Sequence, residues 1–531
     1  MAKNNWRVKP MSAFEADMKK SQLKRVLTKW GLTSLGIGAI IGGGIFTLTG
    51  IAAHNHAGPA LAIAFAIAGL GCLFASLCYA EFASVLPVEG SAYAYSYGTM
   101  GEVFAWVIGW NLILEYMMGA TTVAVAWSGY FEKLLHQCGI DPPTWLMNDP
   151  TTYAEKTAAA IKVAEKAGNS QLVADLSSHG SFSFNLPAFL ITWVVTSILI
   201  KGIKEAAKTN NIIVILKLAV VLFVIFVGFF FIDTDNWTPF VPDAEIIMEN
   251  GKAVSHYGWG FGGVLTAASI VFFAYIGFDA VSTQAGEAIN PKKDVPFAII
   301  ASLIICTVLY IAVSLVLTGM VDYKDLDIKA PVASAFEGIG MPWATILITI
   351  AAVAGLTSVM LVMMLGQTRV FLGMAKDGLL PFKIFGVVHK KFQTPYRSTL
   401  IVGLIISVVA SLTPIDKVAE MCSMGTLLAF SMISIAVLIL RIKQPDLPRP
   451  FKTPFLPFIS VMGALFNIGL MFFVKPETWV AFLIWTGLGV LVYLLYSRKH
   501  SQVNKYNFEQ SLRGHDAIVN VSENLNDDDD K

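Results

Sequence analysis

Residues 35–50 read LGIGAIIGGGIFTLTG, an apolar run with three consecutive glycines, Gly42, Gly43 and Gly44, near its centre. Each glycine inside a helix costs roughly 1 kcal/mol relative to alanine, so this run predicts an interrupted helix. A second interpretation is close packing against another helix, because Gly38 and Gly42 form a GxxxG pair. These residues alone leave both interpretations open.

A second interrupted helix follows five apolar spans later, where residues 271–279 read VFFAYIGFD. Gly277 and the ionisable Asp279 interrupt this run. An odd number of spans between corresponding elements inverts the second copy, and a pair of interrupted helices in two inverted halves indicates a substrate site near the middle of a membrane. Unwound backbone at that depth is tolerated only where it lines a cavity.

The two interruptions predict complementary binding groups. Free N–H groups at the start of a half-helix, near Gly43 and Gly44, attract a carboxylate. Free carbonyl groups at the end of a half-helix, around Phe273 to Ile276, accept hydrogen bonds from an ammonium group. A site with both ends is suited to an α-amino acid.

The composition excludes a soluble protein. Of 531 residues, 55% are hydrophobic and 14% are charged, against about 25% charged in soluble domains. The apolar runs are long and continuous, unlike the alternating segments of a β-barrel. We therefore predict an all-α membrane protein with no nucleic-acid partner.

Nothing in the sequence indicates catalysis, a metal or a cofactor. The five cysteines show no metal-binding spacing, and HExxH, GxSxG and P-loop motifs are absent from the sequence. We predict that the protein is not an enzyme.

Apolar runs bounded by proline, glycine and charge predict twelve transmembrane helices. They cover residues 32–52, 61–86, 103–131, 184–202, 210–232, 262–285, 297–320, 343–373, 398–413, 418–440, 455–474 and 478–497. In the order of the chain they are spans 1 to 12.

These spans predict a five-part organisation. It comprises a cytoplasmic N-terminal segment (1–31), a first repeat of spans 1 to 5 (32–232), a second, inverted repeat (262–440), spans 11 and 12 (455–497) and a cytoplasmic tail (498–531). The first repeat contains an extracellular insert, 132–183, with a short helical pattern around 154–167 that is typical of a solvated cap. The last five residues, DDDDK, are typical of an engineered protease site.

Charge placement predicts the orientation. With both termini in the cytoplasm, about 28 of the 38 Lys and Arg lie on the cytoplasmic side and about nine outside. One lysine, Lys217, belongs to neither side. The positive-inside rule therefore favours a multi-pass protein of the cytoplasmic membrane with both termini inside.

Several long motifs resemble the cationic amino acid transporter family of the amino acid, polyamine and organocation superfamily. They read GIGAIIGGGIFTLTG (36–50), YAEFASVLPVEGSAYAYSYGTMGE (79–102), GWNLILEYMMGATTVAVAWSGY (109–130), VFFAYIGFDAVSTQAGEAINPKKDVP (271–296) and GQTRVFLGMAKDGLLP (366–381). The resemblance covers spans 1 to 10 densely and spans 11 and 12 weakly. It implies the five-plus-five inverted repeat of the leucine transporter, with discontinuous helices 1 and 6 and the substrate between spans 1, 3, 6 and 8. Twelve spans are similar to the bacterial members.

The resemblance also implies a substrate site. The carboxylate cradle falls on Ile40, Ile41, Gly42, Gly43 and Gly44, and the amine-binding carbonyl groups fall on Phe273, Ala274 and Ile276. This chain departs from the family at Gly43, where members usually have threonine. The backbone donor is kept, but any contact of the threonine side chain is lost.

Lys217 is the candidate for proton coupling. Its depth alone allows its ammonium group to snorkel to the interface. In the family, this position resembles a lysine that replaces a sodium ion between spans 1 and 8. We expect Lys217 to be charged when span 1 is held against span 8 and neutral when that contact loosens.

Three carboxylates within spans are also candidates, because charge is costly there and indicates function. Glu115 is too deep for snorkelling, and is predicted to be either a structural partner of backbone amides or a contact for substrate or proton. Asp279 either accepts from free N–H groups of the interrupted segment or binds a ligand directly. Glu81, near the end of span 2, is predicted to be structural or gating, with a solvated or capping carboxylate as the default.

Span 8 suggests which substrates fit. Methionines such as Met360 are mostly packing residues, but one facing the pocket would shorten it and disfavour a long cationic side chain. Span 8 also has no acidic residue to pair with a guanidinium group. The sequence therefore predicts proton-coupled import of neutral or broad-range amino acids by alternating access. An amino acid exchanger, a polyamine carrier and a membrane amino acid sensor remain alternatives.

Overall fold

The computed structural model describes residues 7–9, 27–86, 91–166, 169, 182–201, 206–243, 246–249, 252–255, 260–283, 285, 288–389, 391–392 and 394–503. Most of the predicted N-terminal segment and tail, including DDDDK, lies outside these residues. The described chain is helical apart from a small antiparallel hairpin of β1 (Ile246–Glu249) and β2 (Lys252–Ser255) between spans 5 and 6. The sequence analysis did not predict this hairpin.

The helices of the first half run from α1 to α9. They are α1 (Lys29–Ile40), α2 (Thr49–Ala52), α3 (Leu61–Val85), α4 (Ser91–Thr99), α5 (Glu102–Gln137), α6 (Thr144–Met147), α7 (Pro150–Lys166), α8 (Leu186–Lys201) and α9 (Ala206–Gly228). π-helical turns at Gly44–Leu48 and Ala53–Ala57 flank α2, and 3-10 turns lie at Gly58–Ala60, Phe229–Phe231 and Thr234–Trp237.

The helices of the second half run from α10 to α19. They are α10 (Gly260–Val271), α11 (Ala280–Thr283), α12 (Pro291–Met320), α13 (Pro331–Gly338), α14 (Pro342–Lys376), α15 (Tyr396–Leu412), α16 (Ile415–Lys443), α17 (Leu456–Met471), α18 (Pro476–Val492) and α19 (Arg498–His500). Shorter 3-10 turns lie at Phe272–Tyr275 and Tyr323–Asp325, and π-helical turns at Phe382–Gly386 and Tyr493–Ser497.

Eight helical runs of the described chain are long and apolar enough to cross a membrane. They are Lys29–Val85, Glu102–Gln137, Ile213–Phe231, Gly260–Thr283, Pro291–Met320, Pro342–Lys376, Ile415–Lys443 and Pro476–His500. Three shorter apolar helices are α8, α15 and α17. The first run contains two predicted spans. Together, the eight runs and the three shorter helices therefore overlap all twelve predicted segments. That all twelve cross a bilayer stays a prediction.

Helix ends differ from the predicted ones where charged residues continue a helix. α12 begins at Pro291, six residues before the predicted start, because proline fits the first helical position, where its missing N–H has no partner. α5 continues to Gln137, six residues into the predicted insert. The helix predicted around 154–167 is confirmed as α7, which ends at Lys166 among the described residues.

Three pairs of helices that pack against each other are five spans apart. α12 packs on α3, α14 on α5 and α15 on α8, which pairs span 7 with 2, span 8 with 3 and span 9 with 4. The turns Gly44–Leu48 and Phe272–Tyr275 are also in contact, so spans 1 and 6 meet at their interruptions. This packing brings the two predicted breaks together in the core.

The helix α5 runs between two ends of the molecule, which we name by what lies there. The insert end carries α6 and α7, which follow the last turn of α5. The terminal end carries residues 7–9 and α19, which lie beside Glu102 in the first turn of α5.

Candidate functional site

The first interruption lies at Ile41 and Gly42. The helix α1 ends at Ile40, and Ile41 has an extended conformation with a ψ of 103°. The predicted break in span 1 is therefore confirmed. The packing interpretation also holds, because a Cβ on Gly42 would lie 2.8 Å from Val359 of α14.

The second interruption lies between Ile276 and Asp279. After α10 the chain forms the 3-10 turn Phe272–Tyr275, and Ile276 is extended with a ψ of 133°. Gly277 has a φ of +121°, a conformation that side chains with a Cβ rarely adopt. The predicted break in span 6 is confirmed, and glycine is what permits it.

The two interruptions touch through their backbones. A Cβ on Gly44 would lie 2.3 Å from Cα of Ala274, and one on Gly277 would lie 2.9 Å from the carbonyl carbon of Ala39. The Tyr310 hydroxyl of α12 shares its one proton between the carbonyl groups of Ile40 at 2.8 Å and Ala274 at 3.1 Å. Both broken helices therefore meet at one tyrosine.

The predicted amine-binding carbonyl groups are not all free. The Phe273 carbonyl accepts from the N–H of Ile276 at 3.1 Å, and the Ala274 carbonyl accepts from Tyr310. The expectation of free carbonyl groups at these two positions is therefore wrong for this arrangement. A carbonyl oxygen has two lone pairs, so each retains the capacity to accept a second hydrogen bond.

Lys217 of α9 lies against the first interruption. Its Nζ donates to the carbonyl groups of Gly38 at 2.8 Å and Ile41 at 3.0 Å, and its side chain is buried. The snorkelling interpretation is therefore wrong. A Cβ on Gly355 of α14 would lie 3.0 Å from Cε of Lys217, so the lysine lies between α1 and α14, which carry spans 1 and 8.

Asp279 holds the second interruption. Its Oδ1 accepts from the N–H of Gly277 at 3.2 Å, as the structural interpretation predicts. Its Oδ2 accepts from the Tyr116 hydroxyl of α5 at 2.8 Å. The carboxylate thus fixes the turn after the break to span 3.

Glu115 is completely buried on α5. Its side-chain oxygens accept no hydrogen bond within the described part of the chain, whereas its backbone carbonyl accepts from the Cys422 thiol at 3.1 Å. The predicted partnership with backbone amides is therefore not seen. An ionised carboxylate without a partner is costly at such a position.

The side chains around the glycine triplet are apolar. A Cβ on Gly43 would have ordinary contacts with Ala126 at 3.5 Å, Leu356 at 3.7 Å and Phe273 at 3.9 Å. The position can therefore accept a larger residue, such as the threonine usual in the family. Met360 is buried on α14, one residue after the Val359 that contacts Gly42.

A cavity of about 390 Å³ extends from the insert end toward these residues. Its walls include Thr47, Ala126 and Ile270, together with Asp149 and Lys156 of the insert. Partial burial lowers the pKa of Lys156, and so does the neighbouring Lys329. The insert thus forms a cavity wall as well as a solvated cap, and the cavity reaches Ala126 beside Gly43.

Comparison with known proteins places the chain in a family. Residues 27–495 match the family model described as amino acid permease. The chain belongs to the amino acid permease family. It is therefore a multi-pass membrane protein and a transporter rather than an enzyme.

Relatives of this permease include transporters of different compounds. It is 46% identical to the branched-chain amino acid permease BcaP of Bacillus subtilis (strain 168), over 92% of this chain and 96% of the relative. It is 41% identical to the methylthioribose transporter of the same organism, over 94% and 99%. It is 37% identical to the vacuolar cationic amino acid transporter 2 of Arabidopsis thaliana, over 80% and 61%. The predicted superfamily is thus confirmed.

Glu81 of the permease is an ion-pair partner and not a solvated carboxylate. Its side chain is buried and accepts from Arg441 Nε at 3.2 Å, and Arg449 Nε lies 3.3 Å from its carboxylate. The N–H of Thr453 donates to the same carboxylate at 2.8 Å. The default interpretation of a solvated carboxylate is therefore wrong. No local pattern indicates these partners, because they lie more than 350 positions away in the sequence.

Tyr310 is a further residue of the site that no sequence motif indicates. A tyrosine within an apolar run gives no local signal of what its hydroxyl bonds, although a buried hydroxyl in a membrane span must find a partner. Among the described residues of the permease, no group of three or more His, Cys, Asp or Glu is placed to hold a metal ion.

Proposed function

We propose that this permease imports neutral amino acids, above all branched-chain ones, together with protons by alternating access. The observation that carries the proposal is the contact between the two interruptions at Gly44 and Ala274. It joins half-helix ends of opposite polarity in the core.

The four half-helix ends are not equivalent. Lys217 holds the carbonyl end of α1, and Asp279 accepts from the N–H at Gly277, ahead of α11. Two ends remain for a ligand. They are the N–H groups that begin the turn after Gly42, where a helix start has unpaired donors, and the carbonyl groups around Phe273, which already accept within the chain and can each accept a second hydrogen bond. A carboxylate at the first and an ammonium group at the second describe a zwitterionic amino acid.

The substrate side chain is inferred to be apolar. Ala126, Leu356 and Phe273 surround Gly43, and an apolar side chain is favoured there by burial. The similarity to the branched-chain amino acid permease supports the same choice. Met360 stays the candidate span 8 contact, and Glu115 a candidate contact for the substrate amine or a proton.

Proton coupling is assigned to Lys217. When charged, the lysine stabilises the carbonyl end of α1 and the approach of α1 to α14. Loss of the proton weakens this contact and permits α1 to move. Each cycle would then carry a proton with the amino acid.

We further propose twelve spans in the five-plus-five inverted arrangement of the leucine transporter, within the predicted domain boundaries. The packing of spans 2, 3 and 4 on spans 7, 8 and 9 supports it. The placement of Lys and Arg supports cytoplasmic termini, so that the insert end faces outward. Glu81, with its arginine partners, then has a structural or gating role at the cytoplasmic side.

Reconstituted uptake tests this function. Purified full-length protein in liposomes should accumulate L-leucine when the outside is more acidic, and should accumulate less without a pH gradient. Equal uptake in both conditions would reject proton coupling through Lys217. Counterflow without gradient-driven uptake would indicate an exchanger instead.

A second candidate substrate is methylthioribose, because a transporter of that compound is 41% identical over almost the whole chain. Competition with unlabelled compounds separates the candidates. We expect leucine, isoleucine and valine to compete best. Stronger competition by methylthioribose, arginine or a polyamine would reject the branched-chain assignment, and binding without any transport would indicate a sensor.

A further inference from the structure

An apolar groove lies at the insert end, between α5, α6 and α8. Its volume is about 390 Å³, and the described residues that line it are all apolar. They include Phe131 and Leu135 of α5, Leu146 of α6, and Leu190 and Val194 of α8. The groove shares only Met147 with the cavity that extends toward the two interruptions, so it is a separate site.

Trp127 of α5 also lines the groove, but its polar atom is bonded elsewhere. Its Nε1 donates to the Thr357 hydroxyl of α14 at 3.0 Å, and Thr357 does not line the groove. Its ring stacks on Phe131 with the ring centroids 4.8 Å apart. The side chains of the groove therefore offer carbon atoms to a ligand, which favours an apolar one.

The short length of α8 places the groove at the level of the lipid acyl chains. α8 has 16 residues and is about 24 Å long, whereas the hydrocarbon layer of a bilayer is about 30 Å thick. Its last residue, Lys201, is exposed and belongs at the opposite interface, because charge is costly in hydrocarbon. The first turn of α8, with Leu186, then lies inside the hydrocarbon layer.

The chain just before α8 is bonded as backbone at that depth must be. The N–H of Phe184 donates to the Trp145 carbonyl at 2.8 Å. The N–H of Asn185 donates to the Ser411 carbonyl at 3.1 Å. The Ser183 hydroxyl also donates to the Trp145 carbonyl, at 3.0 Å. Non-helical backbone at membrane depth needs such partners because no water is available there, so these bonds support the same depth for the groove.

The groove is open toward the bilayer. Leu190 and Val194, which line it, are each 52% exposed, and both belong to a helix that is apolar along its whole length before Lys201. Residues of the insert, such as Leu146, close the groove on the side away from the bilayer centre. Its volume falls in the range of about 300–1,000 Å³ that is usual for ligand sites. The surroundings at this depth supply one kind of ligand, the acyl chain of a lipid.

We propose that this groove binds one acyl chain of a phospholipid from the membrane leaflet at the insert end. The chain enters past Leu190 and Val194 and packs against Phe131 and Trp127. Through its bond to Thr357, Trp127 also joins span 3 to span 8, so the bound lipid supports a contact between these two spans.

Titration of purified full-length protein in detergent with a photoactivatable lipid tests the site. The probe is a phosphatidylglycerol that carries a diazirine at the end of one acyl chain, and mass spectrometry of peptides locates the labelled residues. We expect labelling of residues 127–135 to saturate as the lipid is added. Leu465 of α17 is 60% exposed and lies outside the groove, so its labelling should rise in proportion to the lipid.

A variant that fills the groove should weaken the binding. Val194→Trp puts an indole ring in place of buried methylene groups of the acyl chain, so half-maximal labelling should need about tenfold more lipid. The matched control is Ile198→Trp, one turn further along α8, which is 38% exposed and does not line the groove. It should leave the half-maximal concentration unchanged. Unchanged labelling of Leu465 in both variants checks that the fold is kept.

Three results would reject the site. The first is labelling of the groove in simple proportion to the lipid, as at Leu465. The second is an equal effect of Val194→Trp and Ile198→Trp. The third is an unlabelled groove in a protein that elutes as a dimer, which would show that a second copy of the chain covers it. None of these measurements involves transport, so the result is independent of the proposed function.

Discussion

Both spans 1 and 6 are interrupted in the core, but glycine serves a different purpose in each. In span 1 no residue of the break needs a left-handed conformation, and glycine serves close approach, with Gly44 against Ala274. In span 6 the chain turns at Gly277, whose φ of +121° requires glycine. Lys217 holds the first break, and Asp279 holds the second.

The opposite charges of these two residues match the ends that they hold. A lysine stabilises the carbonyl end of a half-helix and an aspartate stabilises the N–H end, as the helix dipole requires. Each break thus has a charged side chain bonded at one of its two ends. Substitutions that affect only one of the two breaks test this comparison.

The largest effect is expected from Gly44→Ala. Its Cβ would lie 2.3 Å from Cα of Ala274, and backbone cannot yield as a flexible side chain does. Overpacking costs about 1–3 kcal/mol, so we expect the Kd for L-leucine to rise by about a hundredfold. Isothermal titration calorimetry measures it.

Gly43→Ala is the matched control for that variant. Its Cβ would have only ordinary contacts at 3.5 Å or more, so the Kd should change by less than about threefold. Equal effects of the two substitutions would contradict the role of close approach.

A smaller effect is expected from Lys217→Met. The change removes the donor to the Gly38 and Ile41 carbonyl groups, and an unsatisfied buried group costs about 1–3 kcal/mol. Gradient-driven uptake should fall at least about tenfold, because the coupling proton is lost as well. The control is Lys201→Met, which changes an exposed lysine and should leave uptake unchanged. Normal uptake by Lys217→Met would show that Lys217 is not needed for transport.

Asp279→Asn should be milder. The amide keeps an oxygen that can accept from the Gly277 N–H but loses the charge, so about 1 kcal/mol of stability should be lost. Denaturant titration in detergent checks it. A loss as large as that of a cavity-forming core substitution would mean that the charge of Asp279, and not only its hydrogen bonds, holds the second break.

The smallest effect is expected from Tyr310→Phe. It removes one neutral hydroxyl that bonds both breaks, and a neutral hydrogen bond contributes about 1 kcal/mol or less. Thermal unfolding should show a slight destabilisation while transport continues. Complete loss of transport would show that the tyrosine does more than connect the breaks.

Short stretches of sequence were enough to predict the helices and the positions of the two breaks. The glycine triplet predicted the first break, Gly277 the second, and long apolar runs the helices. Depth in a span identified Lys217 as unusual. Partners far away in sequence have no such local signal. Tyr310 with Ile40, Glu81 with Arg441 and Lys9 with Asp377 are brought together only by folding.

Calorimetry with three matched ligands tests the central claim, that the two breaks together bind a zwitterion. The ligands are L-leucine, 3-methylbutylamine, which lacks the carboxylate, and 4-methylpentanoate, which lacks the amine. We expect only L-leucine to bind measurably, since each analogue leaves one helix end without its partner charge. Equal binding of either analogue would contradict it.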